Sequence, residues 1–191
     1  MRIGVLALQG AFAAHTAMVD SIGYPVTEVR LPEDLRHVDA LILPGGESTT
    51  MSYLLESSGL YEPIAERLAG GMPAFGTCAG MILLAASIED GTPDQRSFGA
   101  IDIDVRRNAY GRQVDSFETD IAVKVLDEPF HAMFIRAPQV VRYGDSVTVL
   151  AALDDDVVFA RSGPVFVASF HPELTDDDAL HRLFFSSLEE G

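Results

Sequence analysis

A chain of 191 residues that is 48% apolar holds material for one folded domain, expected here over residues 1–191. Its 29 acidic and 13 basic residues give a net charge of −16, which argues against nucleic acid and anionic membrane surfaces as partners. One cysteine rules out an internal disulfide and fits a cytoplasmic location, and the opening apolar run of residues 3–8 is too short for a secretory signal. Only Lys124 among the basic residues is lysine, so the surface also suits a salt-rich cytoplasm.

Residues 2–8 read as an apolar strand, broken by Gln9-Gly10-Ala11. Residues 12–22 follow as a helix, with Phe12, Met18, Val19 and Ile22 at near-helical spacing and Gly23 as its stop. Strands over 25–30 and 39–43 flank a connector at 31–37. The second of these strands is nearly all apolar, as expected when helices cover both faces of a sheet. Pro44-Gly45-Gly46-Glu47-Ser48-Thr49-Thr50 comes next, with Ser48 or Thr49 expected to cap a helix running to 57. Without Gly-Lys-Ser/Thr after the glycines, a phosphate loop is the weaker reading of this turn. A second helical piece spans 60–68.

Residues 72–86, MPAFGTCAGMILLAA, read as a buried strand, a sharp turn and a helix continuing through Ala86. Glycines two before and two after Cys78 let the backbone turn tightly and push the thiol outward, as in a nucleophile elbow. The alternative is a buried cysteine packing as a small apolar residue. A polar loop at 89–97 and a half-exposed strand at 101–105 follow. The loop 106–113 concentrates three arginines in an acidic chain, which suits a carboxylate-binding site. Strands are expected over 117–123, 132–135, 140–143, 147–153, 157–160 and 165–170. The last ends at Phe170-His171-Pro172-Glu173. Thr175 to Asp178 carries capping-box spacing before a terminal helix with a Leu180, Leu183, Phe184, Leu188 stripe. The order describes a three-layer α/β fold, a doubly wound, mostly parallel, flavodoxin-like sheet with an antiparallel strand extension.

Thiol catalysis needs a base and a group that orients the base. Cys78 and His171 both fall at C-terminal ends of expected strands, the edge where a parallel sheet collects ligands, and Glu173 stands beside His171. Among competing bases, His37 and His181 read as surface residues, while His15 and His131 lack a carboxylate neighbour at a buried strand end. No Cys/His cluster has zinc spacing.

Gly76-Thr77-Cys78-Ala79-Gly80 with His171-Pro172-Glu173 resembles the class I, triad-type glutamine amidotransferases. Leu8-Gln9-Gly10-Ala11, Gly45-Gly46-Glu47-Ser48-Thr49-Thr50, Arg107 to Gln113, and Phe134-Ile135-Arg136-Ala137-Pro138 are closer still to the glutaminase subunits of pyridoxal 5′-phosphate synthase. Tyr110, where many relatives carry Phe, is a mild departure. The resemblance implies Cys78 as nucleophile, His171 as acid and base, and Glu173 as orienter. It implies L-glutamine binding by Gly46, Glu47, Ser48, Arg107, Ile135 and Arg136, an oxyanion hole from the N–H groups of Gly46 and Ala79, and neither metal nor cofactor. It further implies a (β/α)8 synthase partner in a large hetero-oligomer, and a Gly45-Gly46 turn that rearranges on docking. A free-standing γ-glutamyl hydrolase or a different amidotransferase subunit, and a non-catalytic binding or regulatory subunit on the same fold, are the rival readings.

Overall fold

The computed structural model describes residues 1–107 and 116–189. The chain opens with β1 (Ile3–Leu6), α1 (Phe12–Ile22) and β2 (Val26–Val29), then a 3-10 turn at Pro32–His37 and β3 (Ala40–Leu43). Next come α2 (Ser48–Ser57), α3 (Tyr61–Ala69), β4 (Ala74–Thr77), α4 (Ala79–Leu84), β5 (Ala85–Ile88) and β6 (Ile101–Arg106). The second half is strand-rich: β7 (Ser116–Ile121), β8 (Phe130–Ile135), β9 (Gln139–Tyr143), β10 (Thr148–Leu153), β11 (Asp156–Ser162) and β12 (Val165–Ala168). A 3-10 turn at Pro172–Leu174 and α5 (Ala179–Glu189) complete it.

The central sheet has seven strands in the order β10-β11-β12-β4-β3-β1-β2. From β12 to β2 the pairings are parallel, while β11 and β10 extend the sheet antiparallel. The chain leaves β1 in one direction for β2 and in the other for β3 and β4, so a crevice opens between the two directions at the C-terminal strand ends. Apolar side chains alternate between two buried layers. Leu41 and Leu43 join the residues of α2, α3 and α4; Ala40 and Ile42 join Phe184 and Phe185 of α5. Both faces of β1 and β3 are therefore dry, which accounts for their continuous apolar runs. A three-stranded sheet, β5-β6-β9, and the β7-β8 hairpin stand apart from the central one.

Four local expectations change. The elbow helix stops at Leu84, and residues 85–88 form β5. The returning chain ends it: Phe98, Ala100 and Gly99 donate N–H groups to the carbonyls of Leu83, Leu84 and Ala85 at 2.7, 2.9 and 3.1 Å. Glu47, not Ser48 or Thr49, caps α2, accepting from Thr49 N at 3.0 Å and Thr50 N at 2.7 Å. Its longer side chain reaches back over the same amides a serine would serve. α5 begins at Ala179, whose N–H donates to the Asp177 carboxylate at 2.9 Å. The Thr175 hydroxyl instead donates to Pro172 O at 3.1 Å, closing the preceding turn. Finally, His181 is fully buried rather than exposed, because α5 turns it inward beside Phe75.

Candidate active site

β1, β3, β4 and β12 each end at the same edge of the sheet and release a short segment there: Gly10-Ala11, Gly45-Gly46, Cys78 and His171. These segments line one cavity of about 310 Å³, together with Glu47, Ser48, Ile82, Arg107, Ile135, Arg136 and Leu174. Of the expected site residues, only Ala79 and Glu173 are not in its wall; Ala79 opens α4 directly behind Cys78, and Glu173 lies behind His171.

The Cys78 backbone has φ 48° and ψ −105°, a left-handed conformation rare outside glycine. The flanking glycines make that turn possible by close approach. A side chain on Gly80 would strike the Leu43 carbonyl, and one on Gly76 would strike the Gly80 carbonyl. Cys78 N–H is held by Ala168 O at 2.8 Å, which ties the turn to β12. The thiol lies 3.8 Å from Ile135 O. His171 is fixed by its N–H to Met133 O at 2.9 Å, so β8 positions the ring that follows β12.

His171 Nδ1 sits 2.7 Å from Glu173 Oε1. Both residues are buried, at 7% and 5% exposure, and Cys78 at 6%. Burial works against a charged imidazole, but hydrogen bonds to Cys78 and Glu173 outweigh it and raise His171 to about 10. Burial likewise opposes a charged Glu173, and the adjoining His15 and His171 hold its carboxyl below the usual range. Gly45 is the residue that lets the ring in: a side chain there would collide with His171 and come within 3.3 Å of Cys78 Cβ.

The opposite wall is polar and held from behind. Both Glu47 oxygens are engaged at the start of α2, and its carboxyl is lowered to about 2: burial opposes this, but hydrogen bonds from Thr50 and Thr49 outweigh it. Ser48 accepts from Gln95 Nε2 at 2.9 Å. Arg107 spends its guanidinium on the protein. Nε and NH2 donate to Asp90 O at 3.1 and 2.7 Å, and NH1 donates to Thr49 Oγ1 and Gln95 Oε1 at 2.6 and 2.9 Å. Four of its five N–H donors are thus committed to the described residues, and the side chain also lines the cavity. Arg136 has φ 45°, a second strained residue at this edge.

Asp90 and Gln95, read from sequence only as part of a polar loop, are what hold this wall. Gln9 is another addition: its Oε1 accepts the Glu47 N–H at 3.0 Å. Its only signal was membership of the Leu8-Gln9-Gly10-Ala11 block. The expected arginine loop is described only as far as Arg107; Asn108 to Gln113, Tyr110 included, lies outside the described residues. His37 is exposed, as expected. His131 is also exposed and is not among the residues lining the cavity; it is bonded to Asp120 at 2.7 Å. Among the described residues no cluster of three or more His, Cys, Asp or Glu could hold a metal, and no helix is long and apolar enough to cross a membrane.

Comparison with known proteins gives this geometry a relationship. The profile of the SNO glutamine amidotransferase family matches residues 5–190. The pyridoxal 5′-phosphate synthase subunit PdxT of Herpetosiphon aurantiacus is 56% identical over 187 residues, covering 96% of this chain and 98% of that protein. The PdxT of Thermosipho africanus is 50% identical over 190 residues, with full coverage of both chains. A crystal structure described as a glutamine amidotransferase superposes with a TM-score of 0.92 at 47% identity, covering 98% of each chain. The fold extends further, to a Thermoplasma acidophilum protein described as a putative GMP synthase subunit, with a TM-score of 0.70 at 15% identity. The chain belongs to the SNO glutamine amidotransferase family.

Proposed function

We propose that this protein is the glutaminase subunit of a pyridoxal 5′-phosphate synthase, acting as one domain over the whole chain. It hydrolyses L-glutamine to L-glutamate and ammonia through Cys78, His171 and Glu173. The observation that supports this most is the buried imidazole–carboxylate pair, 2.7 Å apart, on the face of Gly45 that Cys78 also approaches.

The chemistry follows from the protonation states. A His171 raised to about 10 is an imidazolium at neutral pH, on the same cavity as Cys78, the nucleophile in this reading. The thiolate attacks the side-chain carbonyl of glutamine, and the carbonyl electron pair becomes an oxyanion. As that intermediate collapses, the carbon–nitrogen bond breaks and the imidazolium proton goes to the leaving nitrogen, releasing ammonia. The γ-glutamyl thioester remains on Cys78. Neutral His171 then takes a proton from water, hydroxide adds to the thioester, and glutamate leaves as the thiolate is restored. Glu173 holds Nδ1–H so that Nε2 does the proton work.

The backbone N–H groups of Gly46 and Ala79 receive the oxyanion in this reading. The Gly45–Gly46 peptide is anchored by its carbonyl, which accepts from Ala11 N–H at 3.0 Å. Turning its N–H toward the substrate breaks that bond, which gives the expected rearrangement a definite cost and a reason to await a docked partner. Gly46, Glu47, Ser48, Arg107, Ile135 and Arg136 contact glutamine, Glu47 by its backbone because its carboxylate is committed, and Arg107 through an N–H that the described residues do not engage.

Ammonia is protonated in neutral water and then cannot act as a nucleophile. A subunit that makes it therefore serves an acceptor enzyme that takes it directly, here the (β/α)8 synthase subunit in a cytoplasmic hetero-oligomer. Ammonia release from glutamine, measured with and without that subunit, tests the reading. Wild type should turn over faster with the partner, and Cys78→Ala should lose about 10⁴-fold or more. Undiminished activity in Cys78→Ala contradicts it.

A further inference from the structure

Behind the imidazole–carboxylate pair lies a second pair of histidines that the reaction does not use. His15 of α1 and His181 of α5 are both fully buried. His15 Nδ1 is 2.9 Å from His181 Nε2. His15 Nε2 is 3.0 Å from the hydroxyl of Thr77, the residue preceding Cys78, and 3.3 Å from Glu173 Oε2. That oxygen is the one His171 does not use, and it has no straight hydrogen bond among the described residues.

Burial keeps His15 and His181 below the ordinary histidine range, so each ring carries one N–H. Two arrangements exist. With the His15 proton on Nδ1, its Nε2 lone pair can accept from the Thr77 hydroxyl but also lies 3.3 Å from the Glu173 carboxylate, and the remaining N–H of His181 is left buried without a partner among the described residues. With the proton on Nε2, a positive hydrogen sits beside Thr77 Oγ1 and Glu173 Oε2, while His181 Nε2–H donates into His15 Nδ1. The orphaned His181 Nδ1 is then a lone pair in place of the buried N–H of the first arrangement. An unmatched acceptor costs less than a carboxylate facing a lone pair in a dry interior.

We propose that His15, oriented by His181, is a positioning residue that holds Glu173 ionised and in line with His171. The N–H groups run in one direction, from His181 to His15, whose protonated Nε2 is bonded to Thr77 Oγ1 and lies 3.3 Å from Glu173 Oε2, with His171 bonded to the other oxygen of that carboxylate. The inference rests on the glutaminase reading above. The titratable groups involved are His15 on α1, His181 and Asp178 at the start of α5, Cys78 at the elbow, and His171 and Glu173 after β12. Without the His15 N–H, the outer oxygen of Glu173 loses the cationic or N–H partner nearest to it among the described residues. Its carboxylate then protonates or turns away, and His171 loses one of the two partners, Cys78 and Glu173, that raise it.

The test follows the His171 imidazole by NMR through a pH titration of the full chain, alongside kcat and KM for glutamine in the complex. In His15→Leu the His171 midpoint, about 10 in wild type, should fall by about one pH unit or more, and kcat by about 10- to 100-fold with KM little changed. His15→Gln, whose amide N–H reaches the place of Nε2, should restore both, and His15→Asn, whose amide reaches only the place of Nδ1, should not. A wild-type titration in folded His15→Leu overturns the inference. Should His15→Leu fail to fold, the amides decide: Gln retaining the midpoint while Asn loses it supports the inference, and the two behaving alike overturns it. Activity persisting in Cys78→Ala would instead sink the glutaminase reading, so the two failures are distinguishable.

Discussion

The two walls of the cavity are built on opposite plans. The wall at the ends of β4 and β12 consists of short, buried side chains fixed by backbone bonds to neighbouring strands, with Cys78 N on Ala168 O and His171 N on Met133 O. The wall formed by Glu47, Ser48 and Arg107 consists of loop and helix-start residues whose polar groups are held mostly by one another and by Asp90 and Gln95. The first wall sets protonation, because its groups are dry and few. The second sets shape and charge, because its groups are saturated by the protein before any substrate arrives. Reaction steps should therefore respond steeply to changes in the first wall, and binding more gently to changes in the second.

Among changes that leave Cys78 in place, the largest effect should come from Glu173→Gln. It keeps the shape but removes the charge that raises His171, so kcat should fall by about 10²- to 10⁴-fold while KM changes little. Steady-state glutaminase assays with the partner present measure it; a variant altered chiefly in KM would blur the distinction between the walls. Arg107→Lys should act the other way. A lysine cannot serve Asp90 O, Thr49 Oγ1 and Gln95 Oε1 at once, so KM should rise about 10-fold with kcat nearly kept.

Glu47→Gln should have the smallest effect, one of stability. A neutral cap still accepts hydrogen bonds, so the loss should be about 0.5–1 kcal/mol in a thermal or denaturant melt. The sign of its pH dependence is set by the lowered carboxyl. The contribution is full above the ordinary value of 4.5 and fades as pH falls toward about 2, so the gap between wild type and variant should close over that window.

The same contrast governs what could be read from sequence. Cys78 and His171 announce themselves because glycines flank one and a strand end precedes the other, and both signals are local. The doubly wound order was legible for the same reason: β1 and β3 are apolar throughout because both their faces are covered. Glu47 misled because Ser48 and Thr49 are stronger cap formers by type, whereas reach decided the matter. α4 misled because its apolar run continues into β5, and only the return of residues 98–100 shows where the helix stops. His181 was the clearest error. It lies three and four residues before Phe184 and Phe185, both buried, and that spacing was the available signal for an inward-facing histidine. The meeting of His15, His181, Thr77 and Glu173 needed the tertiary fold, since it joins α1, α5, β4 and the turn after β12.

The central claim is that Cys78 carries the substrate carbonyl during turnover. Rapid acid quench of the complex with glutamine, followed by intact and peptide mass spectrometry, tests it most directly. A γ-glutamyl adduct should form on Cys78 and be absent from Cys78→Ala. Rapid turnover with no adduct on Cys78, and ammonia release undiminished in Cys78→Ala, would contradict it.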